Sequence, residues 1–333
     1  MTMADKKATR ESYGQALAEL GEKYDFLVLD ADLAAATKTG VFKKKFPERF
    51  FDCGIAEGNM VSVAAGIATT GKKVFATSFA MFAAGRAYEQ IRNSIGYPHL
   101  NVNIVGTHAS ITVGEDGATH QCSEDLALMR TIPGMTVICP ADATEAYAAV
   151  EAALNFDGPC YLRFGRFAVP NLTAEMPDYK FEIGKGVTMK EGSDVTIAAT
   201  GYMVHVALEA AELLAAEGIS AEVINIHTIK PLDTELLAAS AKKTGAVVTA
   251  EEHNIVGGLG GAVCEALSGT CPVPVLRVGV EDRYGKSGKV PALLEEYGLT
   301  KENIAAKAKA AIALKKSYIK RELSGSLFLP FFS

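Results

Sequence analysis

Short apolar runs alternate with helical stretches along the first half of the chain. Two predicted helices end at Gly21 and Gly96, and a third begins beside the capping residue Asp142. The pattern predicts strands at 26–29, 50–55, 73–79, 101–106, 135–139 and 160–164, a loop at 33–47, and helices at 9–20, 56–68, 81–95, 123–131 and 141–155. This alternation is typical of a mostly parallel, doubly wound α/β sheet.

A second alternating series follows a break in the pattern. Residues 167–192 have no sustained period and contain two prolines, which indicates a linker. Strands are then predicted at 195–199, 221–225, 246–250 and 275–278, and helices at 204–217, 233–243, 258–268, 292–297 and 301–316. We therefore expect two doubly wound α/β domains at 8–168 and 193–318, a linker at 169–192, and a tail at 319–333.

Polar and aromatic residues stand directly after several strands of the first half. The residues at these strand ends are Asp30 with Asp32, Glu57, Phe79, His108 and Arg166. In open α/β sheets, ligands bind beyond the carboxyl ends of the strands. The sequence therefore predicts a functional site at this edge.

Glu57 lies in the first turn of a helix whose other residues are nearly all apolar. The simple interpretation is an acid stabilised by the helix dipole, because first turns favour acidic residues. The alternative is a buried carboxyl that exchanges a proton with a cofactor. The local pattern alone does not separate these two interpretations.

Composition and charge narrow the class of protein. The 333 residues are 49% hydrophobic and carry a net charge of −6 without a basic block, so nucleic acid is not an expected partner. No apolar run reaches the length of a membrane span, and the N-terminus lacks the apolar core of a signal peptide. The six cysteines form no C-x-x-C pair, which predicts reduced thiols and a cytoplasmic protein.

Two segments are open to more than one interpretation. The glycine-rich stretch at 257–261 resembles a phosphate loop but lacks the G-x-G-x-x-G spacing, so close helix packing is the favoured explanation. The apolar stretch at 327–332 is too short to span a bilayer. It either packs on a partner or is an artefact of cloning or of the reading frame.

The most specific stretch is the loop at 108–121. Its second half, G-E-D-G-A-T-H-Q, resembles the transketolase signature G-E-D-G-x-T-H-Q. The resemblance extends from about 9 to 312 and includes the D-A-D-L, G-I-A-E and S-F-A-M-F stretches that begin at Asp30, Gly54 and Ser78. On these residues the chain resembles the pyrimidine-binding and C-terminal domains of transketolase, as found in the C-terminal subunit of a split bacterial enzyme.

The resemblance implies a cofactor and a partner chain. Transketolases use thiamine diphosphate, and hold its diphosphate through Mg²⁺ with a G-D-G…N motif in an N-terminal domain. No G-D-G occurs in this sequence. The metal ligands are therefore expected on an N-terminal partner subunit and none on this chain, with an α2β2 assembly by analogy with the family dimer.

The resemblance also assigns residues to the cofactor. Glu57 matches the glutamate that bonds N1′ of the aminopyrimidine and promotes loss of the C2 proton, and a buried apolar setting that raises its pKa would suit this role. Phe79 and Phe82 match aromatics that pack on the aminopyrimidine, although a pair of core residues at this spacing is the alternative. The third aromatic of the family is replaced by Gly85, so we expect a less enclosed pocket.

Sugar contacts follow in the same way. His120, the second catalytic candidate, and Asp116 match groups that contact hydroxyls of the donor, where a histidine can also move protons. Three residues match the cluster that binds the sugar phosphate: His108, Arg10 and Arg166. Arginine suits this role because its planar guanidinium can bind two phosphate oxygens at once. The family's serine near the phosphate is replaced by Ala36, with Thr37 adjacent. The expected ligands are sugar phosphates, without a defined acceptor.

Three other functions remain open. Deoxyxylulose-phosphate synthase shares the expected fold, and the R-A-Y-E-Q stretch beginning at Arg86 is similar to it, but that enzyme carries both parts in one chain. The β subunit of a 2-oxo acid dehydrogenase lacks the signature of the 108–121 loop. A non-catalytic scaffold subunit is the third alternative, and the joint presence of Glu57, His108, Asp116 and His120 argues against it.

Overall fold

A seven-stranded sheet organises the first half of the computed structural model, which describes residues 6–323. The strand order is β12-β6-β7-β5-β4-β2-β3. Its members are β2 (Phe26–Asp30), β3 (Phe50–Asp52), β4 (Lys73–Phe79), β5 (Val102–Thr107), β6 (Thr136–Ile138), β7 (Cys160–Phe164) and β12 (Thr228–Lys230). Only β12 is antiparallel to its neighbour. The predicted doubly wound sheet is therefore confirmed.

Helices cover both faces of this sheet. They are α1 (Thr9–Leu20), α2 (Ala34–Thr37), α3 (Gly40–Lys45), α4 (Glu57–Ala68), α5 (Tyr88–Gln90), α6 (Asp125–Arg130) and α7 (Ala143–Asn155). One core joins α1, α3 and α7 to the sheet through buried aromatic rings such as Tyr13, Phe26 and Phe42. The core on the other face continues into the second half of the chain, so the two halves share apolar packing.

The second half contains a five-stranded sheet with the order β14-β13-β10-β11-β9. The strands are β9 (Val187–Lys190), β10 (Val195–Ala199), β11 (Ala221–Asn225), β13 (Val247–Asn254) and β14 (Val275–Val280). The helices are α8 (Met203–Ala216), α9 (Thr234–Thr244), α10 (Leu259–Thr270), α11 (Val290–Glu296) and α12 (Lys301–Leu323). All strands but β9 are parallel, so this expected α/β arrangement is also confirmed.

Several local predictions differ from the structure. The predicted loop at 33–47 contains α2 and α3, and strand β3 ends at Asp52 rather than at 55. The region assigned to a linker contains β8 (Ala168–Pro170), which pairs with β1 (Lys6–Ala8), as well as β9. Strand β12 was not predicted, and it adds a segment of the second half to the first sheet. These strands have three or four residues, too few for a periodic signal.

The predicted helix at 81–95 is helical but irregular. Two π-helical segments, Met81–Arg86 and Ile91–Gly96, flank the short α5. A π-helical turn widens the backbone spiral and turns side chains away from their α-helical positions, and such turns are frequent at functional sites. The first segment follows β4 directly and carries Phe82 and Arg86.

Two other predictions concern the C-terminal tail and membrane-spanning segments. The apolar stretch at 327–332 and most of the predicted tail lie outside the described residues. Among residues 6–323, no helix is long and apolar enough to cross a membrane.

Candidate functional site

The carboxyl ends of β2, β4, β5 and β7 meet at one edge of the first sheet, because these strands are parallel neighbours. The backbone is unusual there. Asp32 and His108 have positive φ angles of 60° and 54°, and Gly54 has 66°. Residues with side chains adopt this conformation rarely, and such strain is concentrated at functional sites.

Glu57 begins α4 at this edge and is only 2% exposed. Its Oε2 accepts a hydrogen bond from Nη1 of Arg86 at 2.8 Å, and Arg86 is itself 52% exposed. The carboxylate is buried, as expected, but its setting is not apolar throughout, because a guanidinium contacts it. Arg86 is a site residue that the sequence reasoning missed; its place in the π-helical segment has no periodic signal.

An aromatic group lies next to this ion pair. The Arg86 guanidinium is 4.6 Å from the centroid of the Phe82 ring. Phe82 is nearly parallel to Phe79, with centroids 6.0 Å apart, and both rings meet His120 edge-on. The structure thus brings together Glu57, both phenylalanines and His120, as the sequence led us to expect.

Met81 occupies space beside the predicted gap at Gly85. A Cβ atom at position 85 would lie 2.3 Å from the Met81 methyl carbon. The flexible thioether of Met81 therefore fills space next to Gly85 in place of a side chain at that position. Both residues line a cleft of about 700 Å³.

His108 joins the aromatic group to the arginines. Its ring stacks on Phe79 with centroids 3.9 Å apart, and its Nε2 lies 3.0 Å from Nη1 of Arg10. A guanidinium can only donate, so Nε2 accepts, and Nδ1–H donates to Thr107 Oγ1 at 2.9 Å. Burial, followed by the charges of Arg10 and Arg166, lowers the pKa of His108 to about 3. His108 is therefore a neutral imidazole.

Arg166 contacts the 108–121 loop at two points. It donates to the carbonyl of Val113 and pairs with Asp116 across 3.5 Å. Asp116 is 44% exposed. The structure thus brings Arg10 and His108 into direct contact and pairs Asp116 with Arg166.

Arg10 and Arg166 line a second cleft of about 340 Å³, together with Lys289 from the second half of the chain. Burial, then the charge of Arg166, lowers the pKa of Arg10. Arg10 also donates to the carbonyl of Ala36 at 2.6 Å. Thr37 is buried and its hydroxyl donates to Asp30 at 2.7 Å, so it does not replace the missing serine.

The second half of the chain reaches this edge as well. Asn254, Arg283 and Tyr284 line the 700 Å³ cleft beside Phe82 and Arg86. Sequence reasoning gave the second domain no group at the site. The polar segment at 281–289, between β14 and α11, is the signal that could have indicated it.

Two backbone amides of the glycine-rich stretch at 257–261 are bonded to a side chain of the protein itself. The side chain of Glu251 accepts from the amides of Leu259 and Gly260, at 2.6 and 2.8 Å. A Cβ atom at Gly258 would lie 2.0 Å from the same carboxylate. Close packing is thus the reason for the glycine, as expected, and the helix N-terminus is occupied by the protein's own anion.

These side chains fit one part of a thiamine cofactor. A buried carboxylate and two nearly parallel rings next to an open cleft are suited to bind a flat heterocycle with ring nitrogens. The described residues do not provide a comparable site for the diphosphate of the cofactor and its metal ion. Within residues 6–323, no group of three or more His, Cys, Asp or Glu side chains is placed to hold a metal ion.

Comparison with known families gives two matches along the chain. Residues 5–171 match the model of the transketolase pyrimidine binding domain, and residues 184–304 match that of the transketolase C-terminal domain.

Individual relatives agree with these matches. A Methanocaldococcus jannaschii protein named "Putative transketolase C-terminal section" is 51% identical over 90% of this chain and 94% of its own. The 6-deoxy-6-sulfo-D-fructose transketolase subunit SqwH of a Clostridium species is 47% identical, over 89% and 91%. A solved structure described as "Split gene transketolase, inactive beta4 tetramer" has 54% identity and a TM-score of 0.86, over 92% of this chain and 99% of that one.

Proposed function

The chain belongs to the transketolase family as the C-terminal section of a split transketolase, and on this premise we propose that it is the catalytic-site subunit of a two-chain enzyme. The enzyme transfers a two-carbon ketol unit from a ketose phosphate to an aldose. The observation that carries the proposal is the contact series from Glu57 through Arg86 and Phe82 to His120 at one sheet edge.

Thiamine diphosphate supplies a carbon nucleophile when it is bound, and the residues of this chain supply its surroundings. We propose that Glu57 hydrogen-bonds the aminopyrimidine, as its burial in the first turn of α4 allows. Phe79 and Phe82 would hold the ring by stacking, and His120 would exchange protons with hydroxyls of the donor. His108, as a neutral imidazole that accepts from Arg10, would orient this arginine.

We propose that the sugar's terminal anion binds in the smaller cleft. Arg10, Arg166 and Lys289 line it, and arginine binds two oxygens of a phosphate at once. The relative from Clostridium is named for a sulfonated sugar, so a sulfonate in this cleft is the second candidate. Phosphate and sulfonate are both compact anions, and the three cationic side chains of this cleft can bind either group.

The partner is proposed to be an N-terminal transketolase subunit with the G-D-G…N motif, which would hold the diphosphate and Mg²⁺. The relatives named above are sections or subunits of split transketolases, which supports a two-chain enzyme. An α2β2 assembly in the cytoplasm follows by analogy with the family dimer. We propose the division into domains at 8–168 and 193–318 on the same basis, with the family matches ending and beginning between them.

A coupled assay tests the proposed activity. The chain, the partner, thiamine diphosphate and Mg²⁺ are mixed with xylulose 5-phosphate and ribose 5-phosphate, and in parallel with 6-deoxy-6-sulfo-D-fructose as donor. We expect two-carbon transfer only when both chains are present. Transfer from the sulfonated donor alone would move the substrate to sulfo-sugars, whereas no transfer from any ketose by a complex that binds the cofactor would contradict the proposed function.

A further inference from the structure

The 108–121 loop carries three of the proposed site residues and has little regular structure of its own. Its base is closed by a hydrogen bond from the Ser110 amide to the Cys122 carbonyl, at 2.9 Å. Between these points the chain makes one short 3-10 turn, Ile111–Val113. Turns fold the rest of the loop on itself, since the amides of His120 and Gln121 both donate to the Gly117 carbonyl, at 3.0 and 3.1 Å. The position of this folded loop in the protein depends on contacts with other segments of the chain.

Glu252 supplies one such contact from inside the protein. It lies in β13 of the second half, is 4% exposed, and its Oε1 accepts the Thr112 amide at 2.8 Å. Its own carbonyl accepts from the buried Arg163 at 2.8 Å, and this arginine is paired with Asp125. The acceptor of the loop amide is thus fixed by a buried ion pair of the first half.

Residues 285–289 supply the other contacts from outside. The Ser287 hydroxyl donates to the Glu115 carbonyl at 2.6 Å, and Lys289 forms an ion pair with the Glu115 carboxylate. The side-chain Nε2 of Gln121 donates to the carbonyl of Lys286 at 3.0 Å. A Cβ atom at Gly285 would lie 1.9 Å from Gln121 Oε1, so the two segments are tightly packed.

We propose that Glu252 and residues 285–289 form a clamp by which the second domain positions the 108–121 loop for reaction. Asp116 and His120 are chain neighbours of Glu115 and Gln121, the two residues that the outer part of the clamp holds. Glu252 is accordingly a positioning residue for the donor site, which assigns the second domain a role in substrate binding. The inference rests on the proposed function for its kinetic consequence, but not for its structural one.

Hydrogen exchange of the full chain tests the structural part. Peptides that span 108–121 are compared in the wild type, Glu252→Ala and Glu252→Gln. We expect about tenfold faster exchange in Glu252→Ala, since the Thr112 amide loses an acceptor in a buried position. Glu252→Gln keeps an amide oxygen at the same place and should restore slow exchange.

Ser287→Ala provides a second variant at the surface, which keeps the test open if Glu252→Ala does not fold. Its matched control is Ser268→Ala, because the exposed Ser268 also donates to a backbone carbonyl, that of Glu265, but far from the loop. We expect faster exchange in the loop for Ser287→Ala and wild-type exchange for Ser268→Ala. The clamp would be overturned if the loop exchanged at the wild-type rate in Ser287→Ala, in Ser268→Ala and in a folded Glu252→Ala.

Kinetics of the assembled enzyme test the functional part. Misplacement of a binding group by about an ångström costs up to about a hundredfold in rate. We therefore expect Glu252→Ala to lower kcat/KM for the ketose donor ten- to a hundredfold, mainly through KM. The Kd of thiamine diphosphate should change less than KM, because Glu57 and the phenylalanines lie on other elements, and the phenylalanines meet the loop through the rings of His108 and His120.

The two proposals fail in different ways. A wild-type complex without two-carbon transfer would contradict the proposed function, and hydrogen exchange would still decide whether the clamp holds the loop. A folded Glu252→Ala variant with faster loop exchange but unchanged kcat and KM would overturn the positioning role while leaving the activity proposed for the family site in place.

Discussion

Glu57 and Glu252 are both buried glutamates near the same sheet edge, yet their surroundings differ. Glu57 is paired with Arg86, which is half exposed and faces an open cleft. Glu252 contacts a backbone amide, and burial raises its pKa to about 7. Only the flexible side chain of Arg86 separates the Glu57 carboxylate from solvent, whereas the Glu252 carboxylate is enclosed by the protein.

The difference separates ligand chemistry from architecture. A ligand can reach Glu57 if Arg86 moves, whereas Glu252 is 4% exposed and its carboxylate is engaged by the loop that it holds. The sequence alone did not reveal this difference. Glu57 had a plain structural explanation at a helix start, and Glu252 was one of two adjacent acids just beyond the strand predicted at 246–250. Burial and contacts, which are tertiary properties, distinguish them.

The largest effect is expected at Glu57. Glu57→Ala should leave the chain folded and lower kcat of the assembled enzyme by about 10²–10⁴, the range for loss of an acid–base group. Steady-state kinetics with saturating cofactor measure this. A variant with kcat close to that of the wild type would mean that Glu57 takes no part in the mechanism and, like Glu252, has only a structural role.

The effect of Glu252 should instead appear in the pH dependence of stability. Its pKa is raised on folding, so the stability that it contributes is present below pH 4.5 and is lost as the pH rises through about 7. The difference corresponds to ~3 kcal/mol. We expect Glu252→Gln to flatten the unfolding free energy, measured by denaturant titration, between pH 4.5 and 8.

The contrasting result is informative. An unchanged slope in Glu252→Gln would mean that its carboxyl titrates normally and is open to water. A positive control is Glu145→Gln, because Glu145 accepts from Asn225 of the second half and burial also raises its pKa to about 7. Its slope should flatten as well.

Arg86→Ala removes the partner of Glu57 without touching the enclosed carboxylate. We expect a loss of about 1 kcal/mol of unfolding free energy in the cofactor-free chain, because a buried carboxylate loses a charged donor that is itself half exposed. Denaturant melts measure it, and the double variant with Glu57→Gln should lose less than the sum of the two single changes. Additive losses would show that the ion pair is not formed.

The smallest effect is expected at Lys289, which is 81% exposed in its pair with Glu115. Lys289→Ala should change the stability by less than about 0.5 kcal/mol. If its cation also assists the terminal anion of the sugar, KM for the ketose phosphate should rise two- to fivefold and become less sensitive to salt. Lys309→Ala, whose lysine pairs with Glu217 far from both clefts, is the control.

Much of the fold could be predicted from periodicity. Helix α1 and strands β4 and β7 begin and end where the pattern placed them, because strong apolar runs are bounded by glycine, proline or capping residues. The short strands β8 and β12 could not, since pairing partners distant in sequence define them. The π-helical segments are equally invisible to a search for a period of 3.6 residues.

The site was predicted in part. The strand ends indicated Glu57, Phe79 and His108, and the resemblance to transketolase added Phe82 and His120. The structure brings these residues together. Arg86 and Glu252 were missed as site residues, because their importance lies in which side chain or amide they meet rather than in any local spacing. The roles of all these residues toward cofactor and sugar stay predictions.

The central claim is that the cofactor site lies between this chain and a second polypeptide. Isothermal titration of thiamine diphosphate with Mg²⁺ into the chain alone, and then into its mixture with the N-terminal partner, tests it most directly. We predict no measurable binding by the chain alone and clear binding by the mixture. Tight binding by this chain without the partner would mean that it holds the diphosphate itself and would contradict the account.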